Sequence, residues 1–421
     1  MRVMLAGVSS GCGKTTASLA LMAALRERGM AVAPFKAGPD YIDPGFHRLA
    51  CGRVSHNLDE WLCTPRSVSR ILDRGMAGAD IGVIEGAMGF YDGLGGGTEC
   101  SAFALAEHTR TPVVLVVDAS GSAASAAATA LGFLQYRREN TIAGVLVNRV
   151  ASERHYHLVR AAMERIGLVC VGWLPKDAGL CMPDRHLGLV PVQERPQASE
   201  QIRRAASVLR LDPEALVRLA RRAGEIDAPE FEYPGSLSGL CIGLAEDAAF
   251  SFVYEANLTA LEAMGARLVR FSPLADKALP EGLHALYLPG GFPEIFEDDL
   301  KGNASMAASV RRAVEDGLRV YAECGGMLYL SMIGALPLSW EMTGKLQRFG
   351  YVSVRDEGGL CFPAHEFHHS LVAPTAPLKT CFEVSRGDRR YREGYSYRNV
   401  LAGYPHLHFF DRPALAERLF L

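Results

Sequence analysis

With 421 residues the chain is too long for one ordinary domain, and two is the expected count. Hydrophobic residues make up 49% and charged residues 22%, the balance of a globular protein with a large core and not of a disordered or fibrous chain. The net charge of −3 supplies no global drive toward nucleic acid or an anionic membrane, and no apolar run approaches the roughly 18 residues of a transmembrane helix. The N-terminus enters an apolar strand at once, leaving no room for a signal peptide. The ten cysteines are scattered without a Cys-x-x-Cys pair, as expected of a reduced, cytoplasmic protein.

Residues 3–6 read as a short buried strand. A loop with Gly7, Gly11 and Gly13 follows, and Lys14, Thr15 and Thr16 open an alanine- and leucine-rich helix running to about residue 28. Strand, glycine loop and helix start form a phosphate cradle. Backbone N–H groups approach the phosphates, the helix N-terminus favours negative charge, Lys14 reaches the terminal phosphates and Thr15 offers its hydroxyl to Mg2+. The spacing departs from the common pattern: Val8 stands where a glycine is usual, so five residues separate Gly7 from Gly13.

Residues 31–36 predict a second strand that delivers Lys36-Ala-Gly-Pro-Asp40-Tyr-Ile-Asp43-Pro, in which Gly38, Pro39 and Pro44 demand a loop. Two carboxylates and a lysine there suit Mg2+ and phosphate chemistry as well as a solvated turn. His47 and His56 carry no ligand spacing and read as hydrogen-bonding or surface residues. Residues 81–84 form a third strand ending at Glu85, a candidate metal ligand because open α/β sheets bind ligands at the carboxyl ends of strands. The run 93–97 is nearly all glycine and reads as a mobile loop. Further strands at 111–118, 142–148 and 169–174 alternate with helices at 120–134 and 155–166, the pattern of a parallel doubly wound sheet. Asn148 closes one strand as either an adenine-reading or a turn residue. The segment 183–190 leads into arginine-rich helices to about residue 222.

Proline, acidic residues and few apolar ones mark 224–238 as a linker, dividing the chain into domains 1–223 and 239–421. The second half restarts with strands at 240–244, 267–271, 285–288 and 319–322 and helices at 254–264 and 306–316. The last of these strands runs into Glu323-Cys324-Gly325-Gly326 and an apolar helix. This is a nucleophile elbow with cysteine in place of serine, and the helix N-terminus is expected to lower the thiol pKa. Gly290-Gly291, after the preceding strand, supply donors for an oxyanion hole. The base comes from Gly403-Tyr-Pro-His406-Leu-His408. Both histidines fall on one face of an extended strand, so spacing does not choose between them. His365-Glu366-Phe-His-His369 satisfies the zinc-protease pattern, yet Pro363 and the following Ser-Leu-Val-Ala-Pro indicate strand and loop where that motif needs a helix. A polar substrate-pocket lining is the reading favoured for it.

Over essentially its whole length the chain resembles the cobyrinate a,c-diamide synthases, glutamine-dependent amidases of corrinoid biosynthesis. The first half resembles the dethiobiotin-synthetase type of P-loop fold, whose longer glycine spacing accommodates Val8. Lys-Ala-Gly-Pro-Asp-Tyr-Ile-Asp-Pro and Glu-Gly-Ala-Met-Gly-Phe-Tyr-Asp-Gly carry the likeness to the amidase group. Ala-Glu-Cys-Gly-Gly and Tyr-Pro-His-Leu-His resemble a triad-type glutamine amidotransferase. The resemblance implies two doubly wound α/β domains. It implies Cys324 as nucleophile, His406 preferred over His408 as base, and Gly291 and Gly325 at the oxyanion. Ser10, Gly11, Gly13, Lys14, Thr15, Thr16 and Asn148 would bind ATP, and Lys36, Asp40, Tyr41, Asp43 and Asp92 would meet substrate or phosphate. Thr15, Asp40 and Glu85 would hold Mg2+. Other triad amidotransferases carry His-x-Glu; none follows His406 here, so the residue that orients it stays open. The implied partners are ATP, glutamine and a tetrapyrrole, with neither nucleic acid nor membrane and with room for a homodimer. The same motifs serve amidation of hydrogenobyrinate or nickel-sirohydrochlorin. A partition-type P-loop switch with an inert second domain is the competing class, which would need no Cys324.

Overall fold

The computed structural model describes residues 1–180 and 192–421, and the 183–190 segment lies outside the described residues. The chain divides into two compact units, Met1–Glu230 and Phe231–Leu421.

The first unit runs β1 (Arg2–Gly7), α1 (Lys14–Glu27), β2 (Val32–Ala37), α2 (Asp43–Cys51), β3 (His56–Leu58), α3 (Pro65–Met76), β4 (Ile81–Glu85) and α4 (Ala102–His108). It continues β5 (Val113–Asp118), α5 (Ala124–Tyr136), β6 (Ile142–Val150), α6 (Glu153–Arg165), β7 (Val169–Pro175), α7 (Ala198–Val208), β8 (Arg210–Leu211) and α8 (Pro213–Ala220). The sheet order is β3-β2-β4-β1-β5-β6-β7-β8. All pairings are parallel except the short β7–β8 edge, so the strands are covered on both faces and read as continuous apolar runs. Helix α1 is buried from Ala17 to Leu25 because it lies against both α2 and α7. Each fully buried Leu or Met there contributes about 1.5–3 kcal/mol. One expectation fails locally. Pro44 does not extend the loop but sits in the first turn of α2, where its missing N–H costs nothing and its fixed φ suits a helix start. In the glycine run Gly95 and Gly96 take φ of 60° and 81°, the left-handed conformation that suits glycine.

The second unit runs β9 (Cys241–Ala245), α9 (Glu255–Ala263), β10 (Arg267–Phe271), β11 (Ala285–Leu288), α10 (Glu297–Gly302), α11 (Ala304–Glu315), β12 (Arg319–Glu323) and α12 (Gly325–Met332). Then follow β13 (Leu338–Met342), β14 (Arg348–Asp356), β15 (Cys361–His368), β16 (Ser370–Pro374), β17 (Lys379–Arg386), β18 (Arg389–Tyr397), β19 (Val400–Gly403), β20 (His406–Leu407) and α13 (Pro413–Phe420). The main sheet is ordered β10-β9-β11-β12-β19-β18-β17-β14-β15-β20. Its first five strands are parallel, and from β18 to β20 the pairing is antiparallel. The strand–helix alternation announces the parallel half. Of the antiparallel half, the strand character around 363–374 and 404–408 was expected, but β14, β17, β18 and the antiparallel pairing were not, because charged residues dilute the alternation of these strands.

Glycine spacing matters at α12. A Cβ on Gly326 would come 2.1 Å from the Leu288 carbonyl oxygen, so only glycine lets this helix start against β11. Gly326→Ala is expected to destabilise the second unit by about 1–3 kcal/mol in urea melts. By contrast Gly132→Ala, in α5 with nothing within 4 Å of the added methyl, should stabilise the first unit by roughly 0.5–1 kcal/mol.

Candidate functional site

In the first unit the loop after β1 is built by backbone freedom. Gly11 and Gly13 have φ of 76° and 92°, conformations that suit glycine. A Cβ on Gly7 would collide with the Lys14 side chain at 2.8 Å, and one on Gly13 with Asn148 Nδ2 at 2.1 Å. Lys14 Nζ donates to the Ser9 carbonyl at 3.1 Å, and burial lowers its pKa. Ser10 and Gly11 are exposed, and Thr16 Oγ1 reaches the Leu180 carbonyl at 3.4 Å.

Parallel pairing places Lys36 of β2 and Glu85 of β4 side by side. Their ion pair spans 3.0 Å, and Lys36 Nζ also contacts Asp43 Oδ2 at 2.5 Å. Thr15 Oγ1 donates to Glu85 Oε1 at 2.6 Å, and His47 Nε2 meets Glu85 Oε2 at 2.8 Å. His47 Nδ1 in turn meets Ser55 Oγ at 2.9 Å. Burial would lower the Lys36 pKa, but Asp43 and Glu85 raise it above the ordinary lysine value. Burial would likewise raise the Glu85 pKa, but Lys36, His47 and Thr15 overcome it and hold the carboxyl well below the usual range. His47, read from sequence as a hydrogen-bonding or surface residue, is fully buried and braces Glu85. Its signal was weak because the partner lies 38 residues away in the chain.

Asp40 Oδ1 accepts from the Ile42 and Asp43 N–H groups at 2.8 and 2.9 Å, turning the chain into α2 with half-buried Tyr41 inside the turn. Asp92 accepts from the Gly89 N–H at 3.0 Å and holds its own loop. Asn148 is buried beneath the glycine loop, donating to the Cys12 carbonyl at 2.8 Å and accepting from the Arg149 N–H at 2.9 Å. Thr15 and Glu85 supply hard oxygens of the kind Mg2+ takes alongside nucleotide phosphates, with Asp40 nearby in sequence. Among the described residues no three His, Cys, Asp or Glu side chains form a cage of their own, so phosphate oxygens would have to complete such a shell.

In the second unit Cys324 stands between β12 and α12 with φ 44° and ψ −101°, a strained turn for a residue with a side chain. The elbow is held by the Cys324 N–H donating to the Gly403 carbonyl at 2.7 Å. The sulfur donates to the Phe367 carbonyl on β15 at 3.9 Å. Gly325 and Gly291 are packed backbone to backbone: a Cβ on Gly325 would lie 2.9 Å from the Gly291 nitrogen. A Cβ on Gly290 would lie 2.4 Å from His406 Cε1. His406 of β20 is the register partner of His365 on β15, two residues from Phe367. Cys324, Gly325, Gly291, Gly290 and His406 are thus linked neighbour to neighbour, with the Phe367 carbonyl beside the sulfur. His406 Nδ1 faces Glu323 Oε2 at 3.5 Å. His408 lies apart, its ring 5.1 Å from Tyr254, with burial lowering its pKa to about 4. β20 ends at Leu407, which separates the surroundings of the two histidines.

One expectation is reversed. The Gly325 N–H favours the thiolate, but burial and then the charge of Glu294 outweigh it and push the Cys324 thiol well above its ordinary pKa. At neutral pH this favours the thiol of Cys324 over the thiolate. Around it, His365 Nδ1, Glu366 Oε1, His368 Nε2 and Glu393 Oε2 are buried without a hydrogen-bond partner among the described residues. Burial raises the Glu393 pKa to about 8 and lowers those of His365 and His368 to about 3 and 4. His365, Glu366 and His368 lie on strand β15, not on a helix.

Residues 3–190 match the CobQ/CobB/MinD/ParA nucleotide-binding domain family, and residues 241–414 match the CobB/CobQ-like glutamine amidotransferase domain family. The chain is 38% identical to the cobyrinate a,c-diamide synthase of Listeria innocua, aligning 100% of this chain with 98% of that protein. It is 39% identical to the hydrogenobyrinate a,c-diamide synthase of Streptomyces coelicolor (99% and 96% covered) and 37% identical to the cobyrinate a,c-diamide synthase of Salmonella typhimurium (98% and 96%).

Lys36→Met is expected to cost about 3–5 kcal/mol at pH 8, because it removes the ammonium that offsets the buried Glu85 carboxylate. In the native chain the depressed Glu85 pKa contributes stability above the unfolded carboxyl pKa, and this is lost only as pH falls through the folded value. Without the ammonium, burial raises the Glu85 pKa in the folded variant, which takes up a proton and regains stability as pH falls, so the gap between the two proteins should narrow from pH 8 to pH 5 in urea melts. A gap that widens on acidification would refute the assignment.

Proposed function

The chain belongs to the cobyrinate and hydrogenobyrinate a,c-diamide synthase family, and from that we propose that it converts peripheral carboxylates of a corrin-type tetrapyrrole to amides, with ATP as activator and glutamine as nitrogen donor. The observation that carries this reading is the convergence of Cys324, Gly291, Gly325 and His406 in a chain that also holds a Lys14–Thr15 phosphate loop.

The glutamine half begins at the raised thiol of Cys324. As sulfur attacks the side-chain amide carbon, the thiol proton passes to His406, the S–C bond forms and the carbonyl π pair moves to oxygen, facing the N–H groups of Gly291 and Gly325. Collapse breaks the C–N bond, His406 returns the proton to the departing nitrogen, and ammonia leaves a thioester. Water then gives a proton to His406 and attacks the thioester carbon, the C–S bond breaks to free glutamate, and His406 returns the proton to the Cys324 sulfur. The unpartnered atoms of His365, Glu366, His368 and Glu393 are assigned to the polar groups of glutamine. Leaving each unmatched would cost about 1–3 kcal/mol.

In the synthetase half a substrate carboxylate oxygen attacks the γ-phosphorus of ATP, and the bond from that phosphorus to the bridging oxygen breaks to release ADP. Ammonia attacks the acyl phosphate and inorganic phosphate leaves, giving the amide. Hydroxide could not leave so easily, which is why activation precedes amidation. Lys14 answers the terminal phosphate charge. Lys36 does so only indirectly, since its ammonium is engaged by Asp43 and Glu85. Asn148 braces the phosphate loop from beneath. Mg2+ held by Thr15 and Glu85 would neutralise phosphate charge.

Relatives named for cobalt-containing and cobalt-free substrates are equally similar to this chain, so the central metal is decided by assay. The protein is expected to yield a doubly amidated product from cobyrinate or hydrogenobyrinate, read by mass spectrometry. Cys324→Ser should lower glutamine-dependent synthesis by at least about 10³-fold while ammonium salts restore it to within a few-fold of the native rate. A variant that binds ATP yet is not rescued by ammonia would sink the two-site reading.

A further inference from the structure

Glu323 immediately precedes the nucleophile and is buried to 2% exposure. Its carboxylate is held from several sides. Oε1 accepts from the Tyr321 hydroxyl at 2.5 Å and from the Leu407 N–H at 3.2 Å, and Oε2 accepts from the Tyr287 hydroxyl at 3.3 Å. Tyr287 and Tyr321 are register partners on β11 and β12, stacked with centroids 5.4 Å apart, and burial followed by the Glu323 charge raises both phenol pKa values, keeping them as donors. The remaining side of Oε2 faces His406 Nδ1 at 3.5 Å. The Leu407 contact ties the same carboxylate to the residue after His406, so backbone and ring are located together. Gly290 closes the other face of the ring, where any side chain would strike Cε1.

We propose that Glu323 is the positioning residue of the glutaminase site: it takes the Nδ1 proton of His406 as a hydrogen bond and so leaves Nε2 to receive the Cys324 proton. This rests on the amidotransferase reading above. It answers the absence of a His-x-Glu sequence by placing the orienting acid on the nucleophile's own strand. A carboxylate on one imidazole nitrogen selects the tautomer and stabilises the cation formed during proton transfer. The 3.5 Å separation is the loose geometry usual before substrate binds. Such a residue affects the chemical step, while glutamine binding is left to other groups.

The test uses the full chain. Nitrogen-15 histidine spectra, with His406 assigned by its loss in His406→Gln, should show a protonated Nδ1 and an unprotonated Nε2 when the ring is neutral. Glu323→Gln should lower the glutaminase kcat by about 10²–10³-fold with the KM for glutamine within threefold, and ammonia-supported synthesis should persist as the check on folding. The Nε2–H tautomer in the native chain would overturn the proposal. So would a Glu323→Gln kcat within threefold of native, or a parallel loss of ammonia-supported synthesis, which would mark a purely structural role. A native protein that fails to use glutamine at all refutes the reading of the previous subsection, and the tautomer then decides this one alone.

Discussion

Lys36 and Glu85 are neighbours because β2 and β4 are hydrogen-bonded in parallel register, so the ladder itself delivers an ammonium and a carboxylate to one point. Parallel pairing aligns the carboxyl ends of strands, and everything chemical in the first unit gathers there: the glycine loop after β1, Lys36 near the end of β2 and Glu85 at the end of β4. Burying these charges is tolerable only because each has a partner. Glu85 meets Thr15, Lys36 and His47, and Lys36 is shared with Asp43. A cluster so tied is rigid, which suits a surface that must hold phosphates in fixed geometry.

The second unit uses the same alignment with a different payload. β11 ends in Gly290-Gly291 and β12 in Glu323-Cys324, again at adjacent carboxyl ends. Here the constraint is steric where in the first unit it is electrostatic. Glycines at 290, 291, 325 and 326 let backbone and His406 approach to distances that any side chain would block. The resulting dryness pushes the thiol pKa up, so in the proposed glutaminase reaction Cys324 would need a base and would not act as a standing thiolate. The antiparallel half of the sheet then supplies both the histidine and the polar residues around the sulfur.

Strand and helix order, the phosphate loop at residues 7–16, the elbow at Cys324 and the Gly290-Gly291 pair were legible in the chain, because each depends on residues close in sequence: apolar runs, glycines and the groups directly beside them. Pro44 misled as a loop signal, since a proline in a first helical turn looks the same in sequence as one that ends an element. The strands at 348–356, 379–386 and 389–397 were missed because their alternation is diluted by charged residues.

What the sequence by itself determined is the inventory: a nucleotide-type loop, a cysteine elbow and two histidines near the end. Which partners they take was decided only by tertiary structure, because the distances in chain are long. His47 reaches Glu85 across 38 residues and Leu407 reaches Glu323 across 84. Alternation along a strand left His406 and His408 equivalent. The end of β20 at Leu407 placed one against Gly290 and Glu323 and the other against Tyr254, and burial, which no local pattern reports, raised the pKa of Cys324.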